Sequence, residues 1–151
     1  MFTFIILLFI IEFSFEYNKR KIISLSEITI TIKGVGNQQI ISSSYSPNQI
    51  YINEILQNYT GNLAKNLIEE INIIKMVWNN PLVSCYSMFN ALRNIIKVDL
   101  SKFDTSQLTY INDMFRDCIS LTSINFQNFN TSKFLIIEYF FYNCYSLKSL
   151  N

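Results

Sequence analysis

Residues 88–151 read MFNALRNIIKVDLSKFDTSQLTYINDMFRDCISLTSINFQNFNTSKFLIIEYFFYNCYSLKSLN, and they state one pattern nearly three times. In lines of 26 residues, Met88-Phe89 stands above Met114-Phe115 and Phe140-Phe141. Val98-Asp99-Leu100 stands above Ile124-Asn125-Phe126, and the third line stops at Leu150-Asn151. Phe103-Asp104-Thr105-Ser106 matches Phe129-Asn130-Thr131-Ser132, Cys118 matches Cys144, and Leu121 matches Leu147. A fixed period of this length marks an array of units, each burying its apolar face against its neighbours.

Within a unit, Ile95-Ile96-Lys97-Val98-Asp99-Leu100 and Leu121-Thr122-Ser123-Ile124-Asn125-Phe126 alternate as strands, with Ile124 and Phe126 inward and Asn125 outward. Equivalent strands should pair in parallel. The spacing of Leu108, Ile111, Met114, Phe115 and Cys118, and of Phe134, Ile137, Phe140, Phe141 and Cys144, predicts a short helix after each strand. Asp104-Thr105-Ser106 and Asn130-Thr131-Ser132 are placed to cap those helices. The expected architecture is α/β: a β-α solenoid of 26-residue period over residues 82–151, its last repeat incomplete, behind an α+β cap over 25–81.

The cap region divides by its periodicities. Ile28, Ile30 and Ile32 alternate with Thr29 and Thr31, a strand over 26–33. Gly34-Val35-Gly36-Asn37 is a turn, and 38–42 would return beside that strand as a hairpin. Residues 49–53 form a third strand. Over residues 54–70 the spacing of Leu63, Leu67, Ile68 and Ile71 is helical, with Lys65 and Glu69 set for an i,i+4 pair. Residues 71–78 turn β-rich before Asn79-Asn80-Pro81, and Ile74-Lys75-Met76 with Trp78 reads as a degenerate, capping copy of the repeat strand. Residues 2–11 are apolar except Thr3, too short to span a bilayer, and residues 1–17 are expected to be a signal peptide. The missing basic residues before that run, and Lys19-Arg20-Lys21 after it, depart from the usual order.

Composition narrows the chemistry. The 151 residues carry no His and a net charge of +1. The missing imidazole removes most hydrolase triads and most zinc sites. The near-neutral charge gives no electrostatic case for nucleic acid. No metal site, cofactor or catalytic group is expected. Three cysteines lack a CxxC spacing; Cys118 and Cys144 share a column and read as small buried side chains, with Cys85 out of that register. Glu69-Glu70 is the densest acidic pair, but neighbours on a helix point apart, which argues against a carboxylate-dependent hydrolase.

The pattern Met114-Phe115, Cys118, Ser120-Leu121, Ile124, Phe129 and Thr131-Ser132 resembles the BspA-like leucine-rich repeat surface proteins, which share it with mycoplasma-type surface lipoprotein repeats. The resemblance covers residues 82–151. Ala91-Leu92 in the first unit and the apolar Phe134-Leu135-Ile136-Ile137 depart from it. It implies an extracellular or cell-surface protein that binds a protein or matrix ligand without catalysis, and contacts a membrane only through an anchor. An intracellular repeat scaffold is the alternative, depending on whether residues 2–11 are cleaved.

The outward strand residues are the candidate contact face: Lys97, Asp99, Ser101, Thr122, Ser123, Asn125, Gln127 and Lys148. They serve equally well as solvation of the sheet. The chain stops within the third unit's strand, an open edge through which copies are expected to self-associate. Two sequons, at Asn58 and Asn130, are glycan acceptors if the chain enters a glycosylating secretory pathway, with Asn58 free and Asn130 folded into its turn.

Overall fold

The computed structural model describes residues 25–151, so the expected signal peptide lies outside the described residues. Among the described residues nine strands form: β1 (Ser26–Lys33), β2 (Gly36–Gln39), β3 (Gln49–Ile52), β4 (Ile55–Leu56), β5 (Leu63–Leu67), β6 (Ile71–Trp78), β7 (Ile95–Asp99), β8 (Ser123–Asn125) and β9 (Ser149–Leu150). Seven of them make one mixed sheet in the order β4-β3-β6-β1-β7-β8-β9, and β2 pairs with β5 apart from it. No helix forms among the described residues, so the expected β-α solenoid and α+β cap are both corrected to an all-β fold.

The 26-residue register survives that correction, as backbone pairing. Lys97, Val98 and Asp99 pair in parallel with Ser123, Ile124 and Asn125, and Ser123 and Ile124 with Ser149 and Leu150. On the other side of each unit, Ser84, Tyr110 and Ile136 bridge in parallel at the same interval. Rings stack along the columns: Phe89 on Phe115 at 5.5 Å and 8°, Phe115 on Phe141 at 6.1 Å and 16°, and Phe103 on Phe129 at 6.3 Å and 20°.

The expected helices fail because their backbone groups are used between units. The N–H groups of Ser87, Phe89 and Ala91 donate to the carbonyls of Asn112, Met114 and Arg116. Those of Asp113, Phe115 and Asp117 donate to Glu138, Phe140 and Tyr142. An α-helix needs the same groups for its own i→i−4 ladder. Aiming them outward requires a left-handed residue twice per unit: Ser87 and Ala91, Asp113 and Asp117, Tyr139 and Asn143, all at φ between 51° and 60°. Left-handed backbone costs an L-residue about 1–2 kcal/mol, which the inter-unit hydrogen bonds, each worth about 0.5–1.5 kcal/mol net, offset. Of the side chains that suggested helix faces, Leu108, Ile111, Met114, Phe115 and Cys118 are all buried, whereas in the third unit Ile137 is exposed and Phe134, Phe140, Phe141 and Cys144 are only half-buried. Tight turns deliver the buried set, closed by Leu108 N–H to Thr105 O, Met114 N–H to Ile111 O and Cys118 N–H to Phe115 O.

The N-terminal region is corrected in three places. β1 does not form a hairpin with the segment after Gly34 and Gly36, although both glycines have positive φ (126° and 72°). That segment becomes β2 and pairs with β5. The expected helix over 54–70 is instead β4, a turn and β5. Asn66 at φ 55° breaks the alternation there, so Ala64 and Leu67 are both buried three residues apart, which imitates helical spacing. Lys65 lies 4.9 Å above the Tyr59 ring rather than against Glu69. Finally, β6 is no parallel copy of the repeat strand. It pairs antiparallel with β1, and β1 in turn pairs antiparallel with β7. β1 therefore occupies the place beside the first repeat strand.

The core lies between the sheet and the far side of the units. Ile28, Ile30, Ile32, Ile50, Ile74, Met76, Ile95, Val98 and Ile124 cover the sheet's inner face, against Met88, Phe89, Leu108, Met114, Phe115 and Leu121. In the third unit Phe140, Phe141, Cys144 and Leu147 are only half-buried. There Arg116 sits over Tyr139 (5.5 Å) and Tyr142 (5.3 Å) while pairing with Asp113 and Asp117, which ties the third unit to the second.

Two substitutions test this account. Phe115→Ala should cost about 3–5 kcal/mol in urea denaturation, the loss of a fully buried ring, and Phe141→Ala clearly less. Ala91→Gly should leave stability unchanged or raise it by up to about 1 kcal/mol, because glycine adopts a positive φ freely. A substantial loss at position 91 would contradict the left-handed turn.

Candidate functional site

The outer face of the seven-stranded sheet is the surface that carries the candidate residues, and it is wider than the repeat strands. Cross-strand register sets its rows. One row runs Tyr51, Lys75, Thr29, Asp99, Asn125, from β3 through β6, β1 and β7 to β8. The next runs Ile73, Thr31, Lys97, Ser123, Ser149. Alternation along β1 that buries Ile28, Ile30 and Ile32 leaves Glu27, Thr29 and Thr31 on this face. On β6 the same alternation leaves Ile71 and Ile73 48% and 51% exposed.

The expected contact residues divide into free and engaged groups. Lys97 and Ser123 lie on the face, side by side in the β7–β8 register, and Lys97 is exposed. Asp99 and Asn125 lie on it as well, but each is folded back. Asp99 Oδ1 accepts from the Ser101 N–H (2.8 Å), and Asn125 Oδ1 from the Gln127 N–H (3.0 Å). Ser101 also accepts from Asn128 Nδ2 at its carbonyl. Gln127 is exposed in the following turn. Thr122, at the entry to β8, donates its hydroxyl to the Ile96 carbonyl (2.7 Å), and the exposed Lys148 holds the same column before β9. The structure thus groups Lys97, Asp99, Ser123 and Asn125 and leaves Thr122, Gln127 and Lys148 at their margin.

The expected helix caps at Asp104-Thr105-Ser106 and Asn130-Thr131-Ser132 are corrected to turns closed on backbone N–H groups two residues on. Asp104 Oδ1 accepts from Ser106 N–H and Asn130 Oδ1 from Ser132 N–H, both at 2.8 Å. Asn130 is thereby tied into its turn, yet it is exposed, as Asn58 is. Thr105 Oγ1 accepts from the Asn130 N–H across the two units.

Residues that the repeat pattern did not suggest complete the face: Tyr51, Glu27, Thr29, Thr31, Ile73 and Lys75. The Ile/Thr alternation of 26–33 marked the two threonines as one polar side. Only the antiparallel seating of β1 on β7 joins them to Lys97 and Asp99. A recess of about 210 Å³ opens among Glu27, Thr29, Lys75, Asp99, Ser101 and Lys102. Lys102 lies 3.8 Å from Glu27, and the Lys75 ammonium stands 3.9 Å above the Tyr51 ring. Glu69 and Glu70, the acidic pair of the sequence, are exposed elsewhere, with Glu70 3.5 Å from Lys33.

The cysteines are free and packed inward. Cys118 Sγ–H donates to the Phe89 carbonyl (3.0 Å) and Cys144 Sγ–H to the Phe115 carbonyl (2.9 Å), one such contact per unit junction. Burial pushes the Cys118 thiol up to about 12, and raises Cys85 and Cys144 as well. Cys85 and Cys118 should therefore resist iodoacetamide at pH 8 in the native protein, with Cys144 reacting first and all three reacting alike in denaturant. Unfolding frees a thiol that ionises near its ordinary 9.0. Stability should thus fall as pH rises from about 9 towards 12, and Cys118→Ala should flatten that fall in urea midpoints. Rapid native labelling of Cys118 would contradict the inward column.

No curated protein and no solved structure matches the chain. A family model does match, over residues 57–151, which includes β5, β6 and all three repeat strands. The chain belongs to the family described as Mycoplasma protein of unknown function, DUF285.

Proposed function

We propose that the chain is a cell-surface or secreted binding module of the BspA-like surface-protein kind, which holds a protein or matrix ligand on the outer face of its sheet and catalyses no reaction. The observation that carries this reading is the combination on that face of half-exposed Ile71 and Ile73 with a flat lattice of threonine, serine and amide side chains. Ile71 and Ile73 lie side by side on one face at the start of β6, and covering such aliphatic surface with a partner is favourable. The repeat pattern of Met114-Phe115, Cys118 and Ser120-Leu121 and the match to a Mycoplasma family support the surface reading.

Photoreactive side chains test the face directly. Placed at Thr31, in the centre of the face, one should cross-link a partner polypeptide on intact cells; placed at Tyr86, on the far side of the first unit, it should not. Equal capture at both positions, or capture only after lysis, would count against the reading.

A further inference from the structure

We infer that the outer face receives an acidic polypeptide segment with an aliphatic anchor, lying in a groove along β1. This rests on the reading of that face as the binding surface and names the chemistry of its partner. The floor of the groove is short at Thr29 and Thr31, between the longer Glu27 and Lys33 at its two ends, with Lys33 beside Ile71. Its walls are long: Ile71, Ile73 and Lys75 on β6, Lys97 and Asp99 on β7. Strands lie about 4.8 Å apart, so the two walls stand roughly 10 Å from one another, room for one extended chain.

The charges lining the groove are unequal in their engagements. Lys33 pairs with Glu70 (3.5 Å) and Lys102 with Glu27 (3.8 Å). Asp99 has one oxygen on the Ser101 N–H. Lys75 and Lys97 have no carboxylate within 4.0 Å among the described residues. They flank Ile73: Lys75 lies two residues on along β6, and Lys97 is its counterpart across Thr31. Asp99 stays charged on the same wall, but Lys75 and Lys97 outnumber it beside Ile73, so the net charge there is positive and the complementary partner presents carboxylates around an aliphatic side chain. A polypeptide fits better than a glycan. Branched aliphatics offer no stacking plane for a sugar, and the Tyr51 ring already faces the Lys75 ammonium.

The full chain with labelled isoleucine methyls, titrated with a heptapeptide of alternating glutamate and leucine, tests this. The Ile71 and Ile73 signals should shift, with binding that weakens as salt is raised. The peptide with glutamine in place of glutamate should bind about tenfold more weakly. Lys75→Glu with Lys97→Glu should weaken the acidic peptide by a similar factor, and Thr31→Leu should block the groove without changing charge. Circular dichroism checks that each variant is folded. Equal binding of the glutamine peptide overturns the inference, as does silence at Ile71 and Ile73 at about 1 mM peptide. Displacement of the peptide by a heparin fragment that moves the same signals more strongly also overturns it, in favour of an anionic glycan. Cross-linking at Thr31 combined with failure of the acidic peptide would leave the binding face standing and remove only the acidic partner.

Discussion

The hydrogen bonds that run from one 26-residue unit to the next govern this molecule. Ser87, Phe89 and Ala91 donate to Asn112, Met114 and Arg116, and their counterparts in the second unit repeat the pattern towards Glu138, Phe140 and Tyr142. On the strand side, β7, β8 and β9 pair in the same direction at the same interval. Backbone groups spent between units are withdrawn from any helix within a unit. The left-handed residues, the ring stacks and the thiol contacts to Phe89 and Phe115 all recur because one unit must lie flat on the next.

β1 couples that ladder to the rest of the chain. It inserts between β6 and β7, antiparallel to both, and so joins the N-terminal strands and the repeat strands into one sheet. Its isoleucines extend the core, and its threonines extend the outer face. The register has a chemical consequence. Thr29 brings Lys75 and Asp99 into one row, and Thr31 does the same for Ile73 and Lys97, pairs that are far apart in sequence. The cap and the repeats together make a surface that neither presents alone.

The sequence misled where one spacing serves two geometries. Leu108, Ile111, Met114, Phe115 and Cys118 recur at intervals of three and four whether a helix or a succession of tight turns carries them inward. Asp113 and Asp117 at positive φ held the hint of turns, since aspartate tolerates that region better than most residues. Ser87, Ala91 and Tyr139 held none, because nothing in those side chains announces a left-handed backbone. Ala64 and Leu67 imitated a helix for a related reason, the irregularity at Asn66.

The sequence by itself determined the 26-residue period, the columns of inward side chains in the first two units and the two faces of β1. Those are local properties: side chains alternate along a strand, and identical units stack most easily in identical register. Of the outer face, it marked Lys97, Asp99, Ser123 and Asn125. Only the tertiary structure decided that these meet Thr29, Thr31, Ile73 and Lys75, that β2 leaves β1 for β5, and that the units contain turns in place of helices. Each of those outcomes depends on which distant backbone groups satisfy one another. That choice belongs to the whole chain, because a strand edge is complementary to many partners and the best available one is selected only when the core closes.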